Sequence, residues 1–168
     1  VITELNKYLG DMETILLNYN AHIDKYMGDG IMSEFGAPIR YEKHSLLAVA
    51  CAWKMQQRMR KANYPFKLRV GISTGVATTG IIGAKRQSFT AFGDTVNLAS
   101  RIEGMCEPGN VTVDEATFKE TREIFQFRPV SGLTSYTQFD NANLVEEINS
   151  TLAEIEKAIA ALAGKARD

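Results

Sequence analysis

Apolar residues recur at helical spacing over residues 1–20, where Ile2, Leu5, Leu9, Met12 and Leu16 share one face. The period then changes. Residues 22–27 and 31–36 read as two short strands joined at Gly28-Asp29-Gly30, an Asp-Gly hairpin signal, and Pro38 closes the unit. Residues 41–61 return to helix, with Leu46, Val49, Ala50 and Trp53 on the apolar side and a basic end, RMRK. The stretch 66–83, FKLRVGISTGVATTGIIG, reads as two strands broken at Gly75. A polar loop at 84–88 and a short strand at 89–92 follow. Residues 93–105 predict a helix with Asp94 as its N-cap and Leu98, Ile102 and Met105 as its core stripe. Then come a turn and strand (EPGNVTV), a short helix (DEATFKET) and a strand (IFQFRPV). Helix, hairpin, helix, hairpin, helix, strand, helix, strand predicts an α+β fold, with helices covering an antiparallel-rich sheet.

The last segment has a different pattern. Val145, Ile148, Leu152, Ile155, Ile159 and Leu162 are spaced 3, 4, 3, 4 and 3 apart, an a/d seam of over two heptads. As helix it would run about 27 Å. An amphipathic helix packed on its own domain and a short coiled coil with another chain fit this seam equally. Glu146, Glu147, Glu154, Glu156 and Lys157 keep the outer face solvated in both cases. The expected division is therefore a domain at 1–139 and a helix at 140–168.

Length and composition place no obstacle before this reading. A chain of 168 residues, 45% hydrophobic and 23% charged, is an ordinary globular composition. At that size folding buries roughly 70% of the unfolded chain's surface, enough for a core without staples. The net charge of −1 gives no electrostatic case for nucleic acid or an anionic membrane, so any anionic ligand needs local basic groups. Cys51 and Cys106 lack metal spacing and read as buried small hydrophobes in a reducing, cytoplasmic compartment. No apolar run reaches the ~20 residues that span a bilayer, although a membrane anchor in a longer parent protein is compatible with this. His22 and His44 have no partner at ligand spacing. GVATTGIIG lacks the Gly-Lys-Ser/Thr ending of a phosphate loop.

Two constellations carry chemistry. Lys25 and Asp29 lie on the first hairpin, four residues apart. In FTAFGDTVNLASR, Asn97 and Arg101 share one helical face. There an amide donor and a fixed cationic fork suit phosphate oxygens, and a helix start adds its positive dipole end. Singly, each residue has a plain structural explanation: a turn former, a solvated lysine, a surface charge. Together, IDKYMGDGIMSEFGAP, LRVGISTGVATTGIIG and FTAFGDTVNLASRIEG resemble successive signature blocks of the class III nucleotidyl cyclases, over about residues 1–130.

The resemblance implies a ferredoxin-like core and an adenylate cyclase that converts ATP to 3′,5′-cyclic AMP and pyrophosphate for intracellular signalling. In that family two carboxylates bind two divalent metals, Mg²⁺ or Mn²⁺, which activate the ribose 3′-hydroxyl and clamp the triphosphate. Asp29 matches the second carboxylate. Asn97 matches the residue that orients the ribose, and Arg101 the one that stabilises charge on the phosphate. Losing such a contact typically costs ~3–4 kcal/mol in barrier. Lys25 and Thr90 match the purine-selecting pair. A lysine only donates, which suits adenine N1, and a threonine hydroxyl can accept from the 6-amino group. A guanylate cyclase would instead be expected to carry an acceptor, usually Glu, at position 25. Thr90 also resembles the subclass with some bicarbonate-responsive members. Family sites are built between two domains, so a head-to-tail homodimer with two shared sites is implied, coupled to an upstream sensor in the parent.

Two features depart from the family. Its first metal-binding aspartate belongs to an opening strand that does not precede Val1, and neither Asp11 nor Asp24 is a convincing substitute. One carboxylate cannot readily hold two Mg²⁺ ions. The family's triphosphate-binding lysine is also missing from FRPVSGLTSYTQF, and Arg128 and Lys85 are the nearest basic candidates. The alternatives are thus a guanylate cyclase, a weak or inactive cyclase-like regulatory or dimerisation domain, and an interaction module built on the C-terminal heptads.

Overall fold

A computed structural model describes residues 2–130 and 135–138, together with 150, 153, 154, 156, 157, 160 and 161. The expected boundary near residue 139 and all six seam positions of the C-terminal helix lie outside the described residues. The elements run α1 (Ile2–Asn18), β1 (His22–Met27), β2 (Gly30–Glu34), α2 (His44–Ala62), β3 (Val70–Ile72), β4 (Thr78–Ile82) and β5 (Ser88–Phe92). They continue with α3 (Asp94–Met105), β6 (Val111–Asp114), α4 (Glu115–Thr121), β7 (Phe127–Pro129) and β8 (Ser135–Gln138). The fold is α+β.

α2 is the spine of the core. It buries Leu47, Val49, Ala50, Cys51, Trp53, Met55 and Met59, and packs against Tyr8, Met12 and Leu16 of α1. Full burial of such side chains is worth roughly 1.5–3 kcal/mol each before entropy is counted. An ion pair across the helices adds orientation: Arg58 Nε lies 3.1 Å from Asp11 Oδ2, which also accepts from the Tyr64 hydroxyl. Asp11 is thereby committed to packing. The αL residue Asn63 ends α2, its N–H donating to the Met59 carbonyl.

Four strands form one sheet in the order β3-β6-β8-β7, with β3 parallel to β6 and the other pairs antiparallel. Two separate hairpins, β1-β2 and β4-β5, stand beside it. This corrects the expected second hairpin. The strands within 66–83 do not pair with each other: β4 turns back on β5, while β3 joins β6 after a crossover through α3. β8 is a strand that the hydrophobic pattern conceals. Ser135, Thr137 and Gln138 are polar but buried, because β8 lies between β6 and β7. The Thr137 and Thr112 hydroxyls bond each other at 3.1 Å across β6 and β8.

Asp94 is not the N-cap of α3. Gly93, at φ 123°, takes that place, and Asp94 begins the first turn. Met105 is exposed, and Cys106 joins Ile102 in the buried set instead. At the next helix Asp114 is a true cap, accepting from Thr117 N at 2.9 Å and Thr117 Oγ1 at 2.6 Å.

Candidate active site

The turn of the first hairpin is Gly28-Asp29, since Met27 pairs with Gly30. Only Gly28 takes a positive φ, 62°, as in hairpin turns where the first central residue alone needs it. The hairpin falls where the sequence placed it, with Gly30 of the Gly28-Asp29-Gly30 link already paired with Met27. Asp29 consequently stands exposed at the tip. Its charge reaches back to α1: burial first, and then Asp29, pushes the Tyr8 phenol up.

Four residues back, β1 contains a bulge. The pairing jumps from Ile23–Ser33 to Lys25–Met32, leaving Asp24 as the extra residue. Its side chain is 2% exposed, while that of Lys25 is 51% exposed. Lys25 Nζ lies 3.8 Å from Asp24 Oδ1. From β5, the Thr90 hydroxyl donates to both Asp24 oxygens at 2.9 Å, and Ala91 N–H donates to Oδ2 at 3.0 Å. His22 Nε2 meets the Phe89 carbonyl at 3.3 Å, a second tie between β1 and β5.

Glu34, on β2, completes this cluster. Its carboxyl oxygens are sealed from water without a well-formed hydrogen bond among the described residues. Burial, and next the contact with Asp24, pushes its pKa up to about 8. That shift favours the neutral acid beside Asp24 over a second anion. Burial raises Asp24 as well, but the neighbouring Glu34 acid, donation from Ala91 and Thr90, and Lys25 outweigh this and hold it below the usual carboxylate value.

Asn97 and Arg101 lie one turn apart on α3, both exposed. Asn97 falls in the first turns, where the helix dipole acts, whereas Arg101 is too far along to share it. α3 sits tightly on β3 because Gly71 has no side chain. A Cβ there would stand 2.4 Å from Glu103 N and 2.6 Å from the Ala99 carbonyl oxygen.

The structure therefore joins Lys25 to Thr90 through one buried carboxylate. No hydrogen bond or ion pair connects Asp29 with Asn97 or Arg101 among the described residues. Nor do those residues contain a group of three or more potential metal ligands. Asp29 offers one carboxylate, which does not make a two-metal site. Arg128 instead lines a cavity of about 240 Å³ with Trp53, Gln56, Arg60 and Asn110, and none of the five predicted site residues borders it. Lys85 is exposed in the loop before β5.

The family description "Adenylate and Guanylate cyclase catalytic domain" matches residues 1–135. The chain belongs to this family. This cyclase domain is 29% identical over 170 residues to Adenylate cyclase 1 of Rhizobium meliloti (strain 1021), covering 91% of the chain and 26% of that protein. It is 27% identical over 143 residues to Guanylate cyclase 32E of Drosophila melanogaster, covering 80% of the chain and 12% of that protein. The chain thus spans a small part of the curated relatives it matches. Among solved structures, the adenylyl cyclase CyaB from P. aeruginosa superimposes with a TM-score of 0.75 at 32% identity, over 83% of this chain and 82% of that one. Adenylate and guanylate cyclases are both among the relatives, so likeness establishes a nucleotidyl cyclase domain without choosing the base. Domains of this family generally use divalent metals. No helix among the described residues is long and apolar enough to cross a membrane.

Sequence reasoning singled out Lys25 and Thr90 in the cyclase domain but treated Asp24 only as a failed metal ligand, and it passed over Glu34. A bulge leaves no mark in a six-residue strand, and the partners of Asp24 lie 66 and 67 positions away.

Proposed function

We propose that this domain converts ATP to 3′,5′-cyclic AMP and pyrophosphate at sites shared between two copies of the chain. The observation that carries the base preference is the coupling of Lys25 and Thr90 to one buried carboxylate. A donor-only ammonium and a hydroxyl stand together on neighbouring strands. Adenine offers the matching edge, with an acceptor at N1 beside an amino donor at C6. Guanine offers a donor at N1 beside an acceptor at C6, so Lys25 would leave two donors facing each other. Mismatches of this kind discriminate strongly where the bound base excludes water from them.

The reaction joins the ribose 3′-oxygen, its proton passing to water, to the α-phosphorus and breaks that phosphorus from the pyrophosphate oxygen. In this reading Asn97 holds the ribose so that its 3′-oxygen points at phosphorus. Arg101 donates to the phosphate oxygens as negative charge builds. Asp29 is one ligand for a divalent cation, which when bound neutralises triphosphate charge. With a single carboxylate no step is assigned to a metal pair. Exposed apolar residues on and beside the β1 and β4–β5 strands, Met27, Val76, Ile81, Ile82 and Phe92, suit burial against a second copy.

The lone Asp29 carboxylate also favours a second reading, a nucleotide-binding domain that regulates a partner without turnover. One assay separates the two. Cyclic AMP and cyclic GMP are measured with Mg²⁺ and with Mn²⁺, for this chain and for a version preceded by a strand carrying a second carboxylate. Cyclic AMP from the extended version is expected. No product would overturn the catalytic reading, and mainly cyclic GMP would overturn the base assignment.

A further inference from the structure

We infer that Asp24 is a positioning residue for base selection, fixing the Thr90 hydroxyl as a hydrogen-bond acceptor toward the purine. The inference rests on the adenine reading above and adds the residue that enforces it. A threonine hydroxyl has one proton and two lone pairs and by itself serves a donor or an acceptor equally. It would tolerate the amino group of adenine and the carbonyl of guanine alike. Here its proton is committed inward, 2.9 Å from each Asp24 oxygen. Only lone pairs remain for a base.

The surroundings hold the carboxylate in that role. The β1 bulge takes Asp24 out of the ladder with β2, and its carboxylate meets Thr90 and Ala91 of β5. Ala91 N–H anchors Oδ2 at 3.0 Å, and the side chain is 2% exposed, so water does not compete. Lys25 lies within ion-pair range on the outer side at 3.8 Å. The buried Glu34 carboxyl, the remaining acid against Asp24, faces it from β2. A burial this complete, on a strand bent out of register to achieve it, goes beyond what tying β1 to β5 requires. His22 already does so at the Phe89 carbonyl.

The test uses equilibrium binding to the full chain, not turnover. The ligands are ATP, GTP and purine riboside triphosphate, which keeps N1 but lacks the 6-amino group. The wild-type chain is expected to bind ATP more tightly than the riboside analogue by about tenfold, one oriented hydrogen bond. In Asp24→Ala that ratio should fall toward one, with analogue affinity nearly unchanged. Asp24→Asn keeps an oxygen where Oδ2 meets Thr90 and Ala91, and should retain most of the ratio. A purely structural role would weaken both ligands together in Asp24→Ala and leave their ratio intact, which would overturn the inference. Should Asp24→Ala not fold, Asp24→Ala/Glu34→Ala removes both acids and strands neither; the same collapse of the ratio is expected. A wild-type chain binding GTP as tightly as ATP would instead defeat the adenine reading, and this inference with it. ATP preferred over GTP, but with an unchanged ATP-to-analogue ratio in the alanine variants, would defeat the Asp24 assignment alone.

Discussion

Glu34 is a carboxylic acid held against a carboxylate, and the pair gives folding a definite pH dependence. Its ordinary value of 4.5 rises to about 8 in the folded chain, through burial first and Asp24 second. Between those values the folded state keeps a proton that the unfolded state has lost. Stability therefore falls as pH rises through that window and levels off above about 8. Asp24, whose folded pKa is lowered, acts the other way: its contribution is present above its unfolded value of 3.8 and is lost on further acidification. Chemical denaturation from about pH 5 to about pH 8.5 should show the decline in the wild type, and Glu34→Gln should flatten it. Identical slopes for the two proteins would contradict the shared-proton arrangement. At this scale the sequence exposed only half of the cluster. Lys25 and Thr90 announce themselves through residue type and block spacing. Asp24 and Glu34 do not, because their roles come from which oxygens lose contact with water.

Among the elements, α3 and β3 show how a missing side chain positions a helix. Gly71 lets β3 approach the backbone of α3 at Ala99 and Glu103, and that helix carries Asn97 and Arg101. Gly71→Ala puts a methyl group onto backbone atoms at 2.4 and 2.6 Å, which no rotamer change relieves. The expected loss is about 1–3 kcal/mol in urea unfolding, with a lower thermal midpoint. Gly104, whose added Cβ meets nothing within 4 Å, is the control on the same helix. Its alanine variant should be neutral or slightly stabilised by helix propensity, by up to about 1 kcal/mol. Equal effects at the two positions would refute the close-approach argument. The helices α1, α2 and α4 and the first hairpin were legible because amphipathic period and turn residues are local signals. β8 was not, since Ser135, Thr137 and Gln138 give it no apolar pattern, and its burial comes from lying between β6 and β7. Gly93 displaced Asp94 as cap for a similar reason: an acid and a glycine side by side leave the cap ambiguous until the chain's φ decides it.

For the whole molecule, the proposed site draws on residues that no hydrogen bond or ion pair joins within one chain among the described residues. Asp29 stands at a hairpin tip, while Asn97 and Arg101 lie on the exposed face of α3, with no bond between them among the described residues. If two copies share their sites, Asp29→Ala and Arg101→Ala chains, each inactive alone, rebuild one complete site when mixed. In the version carrying a second carboxylate, random exchange should restore about a quarter of wild-type cyclic AMP production, as half the dimers are mixed and each has one working site of two. Failure to complement, with mixed dimers confirmed by mass, would refute the shared-site arrangement. The residue types and their spacing determined, without any coordinates, the α+β class and the cyclase family, and they singled out the five side chains of the proposed site. Helical period, turn chemistry and block order are all short-range features of the chain. Tertiary structure alone decided that β3 pairs with β6 rather than β4, that Asp24 bulges into a buried contact with Thr90, and that burial beside Asp24 pushes the Glu34 pKa up. Each of these depends on groups far apart in sequence meeting where water is excluded, and there hydrogen bonding and burial, rather than local preference, set the outcome.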